Sequence, residues 1–249
     1  MYEFSLSLLL AVVFTFFVAG TVKGVTGMGL PTVAMGVLGA FLSPLAAATM
    51  LIVPSFVTNV WQLLAGPSFA GMIRRLGPMM VAIVIGTVAG ASMLTGGDTR
   101  LTTAALGIAL VSYAVYTLVA RPYRVNPAYE GWLSPLIGLI TGLVTGATGV
   151  FVIPAVPYIQ ALGFEKDDLV QALGLSFTVS TIALAIGLAS RGAYQPDGMA
   201  VSALAVIPAL IGMWAGQKVR QAVSPATFKR WFLIALAVLG AEMMLRGFW

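Results

Sequence analysis

Lys23 lies in GTVKGVTGMGLP, residues Gly20 to Pro31, where four glycines, two threonines and a proline surround one positive charge inside an apolar run. Gly24, Gly27 and Gly29 are expected to interrupt a helix and bare backbone N–H groups, and Pro31 suits the first turn of the next helix. Helix N-termini carry partial positive charge and Lys23 adds a whole one, so the chemistry on offer is binding of a small anion. A second stretch repeats the pattern without the charge. Thr145 stands where Lys23 does, ahead of Gly146 and Gly149, and Thr26 and Thr148 supply matching hydroxyls. Two breaks entering from opposite faces would enclose one ligand. An idle charge at the centre of a membrane helix costs at least ~2.5–3.5 kcal/mol, which favours a functional Lys23. The plain alternative is a lysine that ends the first helix and snorkels to the headgroups.

Two buried amides join this candidate binding set. Ser55, Asn59 and Gln62 share a helix face, as do Gln171 and Thr178, with Ser176 and Ser180 beside them. Interhelical hydrogen bonding accounts for the hydroxyls, whereas Asn59 and Gln171 need several partners each and are taken as substrate-binding. No catalytic residue is assigned. The chain has no histidine and no cysteine, so disulfides, thiol chemistry and the usual zinc motifs are absent, and neither a metal nor a cofactor is expected. An intramembrane serine–lysine enzyme would need a serine flanking Lys23, and none is there.

These residues need apolar elements to hold them. Of 249 residues 59% are hydrophobic and 8% charged, against about 25% charged in a soluble domain. Charge-free intervals such as Gly24–Ile73, Gly131–Phe164 and Leu169–Ser190 each exceed the roughly 20 residues that cross a bilayer. The class expected is an all-α polytopic membrane protein, read as one transmembrane domain. Apolar runs between turn signals give ten segments, at about 4–22, 30–42, 45–65, 77–96, 100–120, 131–147, 149–162, 168–189, 198–217 and 228–247. The second and seventh are too short to span and are expected to be half-helices or re-entrant. The acidic start, with no base before Lys23, argues for a retained first segment and against a cleaved signal. Pro54 and Pro208 are expected to kink their helices. Ser43–Pro44 and Ser224–Pro225 read as helix starts, and Glu242 with Arg246 as an interfacial pair.

The halves repeat. AGTVKGVTG (Ala19–Gly27) aligns without a gap on TGLVTGATG (Thr141–Gly149), and GTVAG (Gly86–Gly90) matches GMWAG (Gly212–Gly216). The expected repeats run from about 4 to 120 and from about 131 to 247, five segments each. The GxxxG pairs themselves read as close helix packing. With ten segments, one side receives Arg74, Arg75, Arg121, Arg124, Lys166, Lys218, Arg220, Lys229 and Arg230, and the other only Arg100, Arg191 and Arg246. The positive-inside rule then makes the basic loops cytoplasmic and places both termini outside. Five segments per repeat is odd, so the repeats would be inverted, as in secondary transporters. The basic residues sit in short loops between spans, so a pI near 9.7 reflects topology, and no nucleic-acid partner is expected.

The glycine-broken first helix ending in GVTGMGLP, its echo TGATGVFVIP and the GxxxG helix late in each half resemble the TauE/SafE family of sulfite and organosulfonate exporters. The resemblance covers nearly the whole chain. It implies a secondary transporter, not an enzyme, exporting sulfite, sulfoacetate or a related sulfonate or carboxylate across the bacterial inner membrane. Implied partners are the small anion and the lipid bilayer, with homo-oligomerisation open. An anion channel and a membrane-assembly subunit are the alternatives; single-channel currents mark the first, an idle Lys23 without substrate binding the second.

Overall fold

The computed structural model describes residues 6–121, 123–194 and 196–247, with the side chains of 196 and 197 excepted. Glu3, the start of the first expected segment and the side chain of Asp197 lie outside the described residues.

Eleven helices are described: α1 Leu6–Thr26, α2 Leu30–Phe41, α3 Pro44–Leu64, α4 Phe69–Gly96, α5 Thr99–Val119, α6 Pro127–Thr148, α7 Ala155–Ala161, α8 Lys166–Ala189, α9 Pro196–Leu204, α10 Val206–Ala222 and α11 Pro225–Arg246. Seven stretches are long and apolar enough to cross a bilayer, namely α1, α3, α4, α5, α6, α8 and the Gly198–Ala222 run that joins α9 to α10. With its backbone satisfied inside helices, such a chain is a multi-pass membrane protein.

Local chemistry explains the boundaries. Ser43 caps α3 by accepting from the Ala46 N–H at 3.2 Å, and Pro44 fills the first turn. Ser224 and Pro225 stand at the expected N-cap and first-turn positions of α11, though the Ser224 side chain makes no capping bond. Pro54 has no N–H to give the Met50 carbonyl. Ser202 of α9 supplies the missing donor at 2.8 Å, and its oxygen accepts from Val53 N–H at 3.2 Å. Near Pro208 the ninth expected segment divides at Ala205 into α9 and α10.

Helix pairs meet backbone to backbone. A Cβ on Gly20 or Gly24 of α1 would overlap the carbonyl oxygens of Ala209 and Met213 on α10, and a Cβ on Gly212 or Gly216 would overlap those of Phe17 and Thr21. Gly86 and Gly90 of α4 meet Gly142 and Gly146 of α6 in the same manner. Only glycine permits this approach, the small-residue packing of membrane helices. Here the expected breaks need correction. Gly24 and Gly146 lie inside α1 and α6 and pack against a neighbour. The chain turns three to five residues later, at Gly27 (φ 77°), Gly29 (φ 102°) and Gly149 (φ 72°), in left-handed conformations that side chains disfavour.

Two ends of the bundle are distinguishable. At one, Arg75 near the start of α4 holds Glu130 of α6 through bonds of 2.6 and 2.9 Å. It also donates to the Leu162 carbonyl after α7 at 3.1 Å and lies 4.5 Å from the Phe164 ring centroid. At the other, Arg246 at the end of α11 donates to the Ala40 carbonyl near the end of α2 at 3.1 Å, and Gly247 packs on Arg100 and Ala104 of α5. The 28 residues of α4 separate them. With 12 residues α2 reaches only ~18 Å, so the α1–α2 turn lies inside the bundle and α2 returns to the Arg246 end. α7 returns to the Arg75 end, where the Ala161 carbonyl accepts from Val125 N–H at 2.9 Å. The second and seventh segments therefore double back.

Candidate functional site

Lys23 is 3% exposed, which rules out the snorkelling alternative. Its position follows from the continuation of α1 through Gly24, which carries the side chain past the expected break and into the bundle. There its ammonium donates to the amide oxygen of Asn59 and to the Thr58 hydroxyl at 3.2 Å. Thr58 sends its own proton to the Pro54 carbonyl at 2.8 Å, so it faces Lys23 as an acceptor. The Asn59 amide nitrogen donates to Thr181 of α8 at 3.3 Å, and Thr181 donates to the Phe177 carbonyl at 2.7 Å. Each donor in this series points away from the lysine, which fixes the amide with its oxygen towards the charge.

The site is central. Asn59 and Thr181 each lie 15 residues into their helices, or about 22 Å at 1.5 Å per residue. α3 starts at the Arg246 end and α8 at the Arg75 end, while Asn59 stands five residues from the end of α3 and Thr181 eight from the end of α8, so the cluster lies inside the bundle, more than a helical turn from either face. Among the described residues the ion pairs are Arg75–Glu130 and Glu242–Arg246, and no carboxylate meets Lys23. An ammonium has three donors, and the two accounted for go to neutral oxygens. The hydroxyls of Ser55 on α3 and of Ser176 and Ser180 on α8 are buried without a partner among the described residues; Ser55 lies one turn from Asn59 and Ser180 beside Thr181. Such a place suits a small polar anion, which supplies the missing charge and accepts from hydroxyls.

The other expected site residues have different settings. Thr26 donates to the Val22 carbonyl at 2.8 Å and accepts from Met28 N–H at 3.3 Å. Thr148 donates to the Val144 carbonyl at 2.7 Å and accepts from Val150 N–H at 3.2 Å. Both hydroxyls are committed to shaping the turns at Gly27, Gly29 and Gly149. Thr145 donates to the Thr141 carbonyl at 2.7 Å within α6. Gln171 donates to the Leu63 carbonyl at 2.9 Å and accepts from Ser68 N–H at 2.7 Å, latching the α3–α4 connection. The bonds formed thus join Lys23 to Asn59 and do not join either to Gln171, Thr145 or Thr148. Thr58 and Thr181 complete the cluster and were not anticipated. A signal for Thr181 existed: the 122-residue offset that aligns Ala19 on Thr141 also carries Asn59 onto Thr181.

A multi-pass helical bundle with a buried lysine that meets no carboxylate among the described residues is compatible with a membrane transporter. The family model of the sulfite exporter TauE/SafE matches residues 12–243, and the chain belongs to that family. It matches no curated protein and no solved structure.

Proposed function

We propose that the chain exports sulfite, sulfoacetate or a similar small sulfonate or carboxylate across the bacterial inner membrane, binding it at Lys23. The observation that carries this reading is the burial of Lys23 against oxygens that, among the described residues, are all neutral. A tetrahedral or pyramidal oxyanion would accept from the ammonium and from hydroxyls such as Ser55 and Ser180. Lys23, Ser55 and Ser180 would donate to the anion, while Asn59, Thr58 and Thr181 hold the ammonium in place beside it. Gly27, Gly29 and Gly149 shape the walls of this site, together with Gly24, Gly146, Thr26, Thr145 and Thr148. Gln171 serves the same pathway at its Arg75 end.

In this reading the halves are inverted repeats. The glycine-broken helix of each half packs on the GxxxG helix of the other, α1 on α10 and α6 on α4, which is the exchange that a two-fold axis in the membrane plane requires. The matching hydrogen bonds of Thr26 and Thr148 support the same relation. The Arg75 end, richer in basic loops, is the cytoplasmic one, and both termini are outside.

Export of a monovalent anion is favoured by an inside-negative potential by about 2.3 kcal/mol per 100 mV, nearly fifty-fold in concentration. No proton-relay carboxylate is among the residues around Lys23. Proteoliposomes loaded with sulfite or sulfoacetate should therefore release it in response to a potassium-diffusion potential without a pH gradient, and sulfate, acetate and chloride serve as competitors. Flux that ignores the potential and follows a proton gradient, or no flux of any sulfur oxyanion, overturns the proposal.

A further inference from the structure

Two cavities meet at Lys229, away from the Lys23 cluster. The first, about 250 Å³, is bounded by Arg121 after α5, by Tyr123, by Gln160 of α7 and by Lys229 of α11. The second, about 480 Å³, continues past Lys229 to Arg230 and to a wall of Leu118, Leu233 and Ile234. Thr117 also lines both, so they adjoin and together form a recess at the end of the bundle that holds Arg75 and Ala161. Its chemistry is two-sided. Arg121, Lys229 and Arg230 bring three cations together, and among the described residues none forms an ion pair. Burial pushes the Tyr123 phenol above its ordinary range, so it offers a neutral hydroxyl beside them. The opposite wall is hydrocarbon, and Leu118 and Ile234 are 40% and 37% exposed on the outer surface of a bundle that spans the bilayer.

A soluble anion has no use for a hydrocarbon wall, and an apolar molecule has no use for three cations. A phospholipid with an anionic head needs both, and basic recesses between helices near the headgroup level suit such lipids. We infer that this recess is a binding site for an anionic phospholipid, with its phosphate held by Arg121, Lys229 and Arg230 and an acyl chain lying along Leu118 and Ile234. Lys229 lines both cavities, so it can meet a phosphate in either. Because α5 and α11 pack through Gly107 and Gly240, the lipid would bridge the ends of a helix pair distinct from the one that carries Lys23.

The test uses the purified full chain in detergent, melted while micelles are titrated with phosphatidylglycerol or with phosphatidylcholine. Phosphatidylglycerol should raise the melting temperature at mole fractions where phosphatidylcholine does not, since binding to the folded state stabilises it. Lys229→Gln with Arg230→Gln should weaken that binding on the order of thirtyfold, at five- to sixfold per cation removed. Arg191→Gln, outside the recess, should leave it unchanged. Inorganic phosphate and glycerol 3-phosphate should produce no shift. If either reproduces the phosphatidylglycerol effect, the recess takes a soluble phosphate and the lipid assignment is wrong. Equal shifts with both lipids, or a shift that survives the double substitution, also overturns it. Should the double variant melt too low to titrate, native mass spectrometry of Lys229→Gln against Lys229→Arg decides: phosphatidylglycerol must be retained by the arginine variant and lost from the glutamine one.

Discussion

The Lys23–Asn59 contact makes a quantitative prediction, because each partner can be removed separately. Lys23→Met keeps the length of the side chain and deletes its charge. That returns the ~2.5–3.5 kcal/mol cost of a charge held at bilayer depth but leaves the Asn59 amide oxygen without its donor, at a cost of ~1–3 kcal/mol. The two nearly cancel, and the variant should fold with stability close to that of the parent. Asn59→Ala has the opposite character. It leaves the cation buried with Thr58 as its one remaining bond, and stranding a buried charge costs about 3–5 kcal/mol. Combining the two removes the stranded charge, so Lys23→Met/Asn59→Ala should be more stable than Asn59→Ala alone by roughly 2 kcal/mol, a non-additivity expected only of groups in contact. Reversible unfolding in mixed micelles measures all four proteins. The same samples with sulfite at a hundred times its dissociation constant should gain about 2.7 kcal/mol in the parent and nothing in either Lys23 variant. If Asn59→Ala is as stable as the parent, the buried charge is not where these bonds put it. If sulfite still stabilises Lys23→Met, the anion binds elsewhere.

Gly24→Ile should cost about 3 kcal/mol, because its Cβ has to displace the Met213 carbonyl of α10. Gly27→Ala, strained only by its φ of 77° with open space around it, should cost roughly 1 kcal/mol, and comparing their unfolding midpoints checks the order. Ser202→Ala should destabilise by about 1–3 kcal/mol in the same assay, since Met50 loses its only substitute for the proton that Pro54 lacks. Single cysteines introduced as Arg74→Cys and Arg191→Cys should react with an impermeant maleimide from opposite faces of sealed vesicles; reaction from one face refutes the proposed orientation.

The apolar runs and the charges that bound them were enough to place seven of the eight long segments as spanning-length apolar helices, because a bilayer demands about 20 apolar residues per crossing and leaves few other ways to read Leu169–Ser190 or Leu101–Ala120. The last, 228–247, forms α11 without meeting that measure. The shortness of the second and seventh runs likewise required α2 and α7 to start inside the bundle. Lys23 stood out for the same reason, as a charge whose desolvation had to be met by something. What met it was not legible. Helical periodicity put Ser55, Asn59 and Gln62 on one face, but a face does not name the helix it turns towards, and only the packing of α3 against α8 together with the reach of the Lys23 side chain from α1 brought Asn59 between Lys23 and Thr181. Nor could local propensity locate the breaks. Gly20, Gly24 and Gly146 look like helix-breakers in isolation, and they remain helical because carbonyls of α10 and α4 occupy the space a side chain would need. A glycine's cost is set by the chain next to it, and that neighbour, a hundred or more residues away along α10 for Gly24, is decided by the tertiary fold.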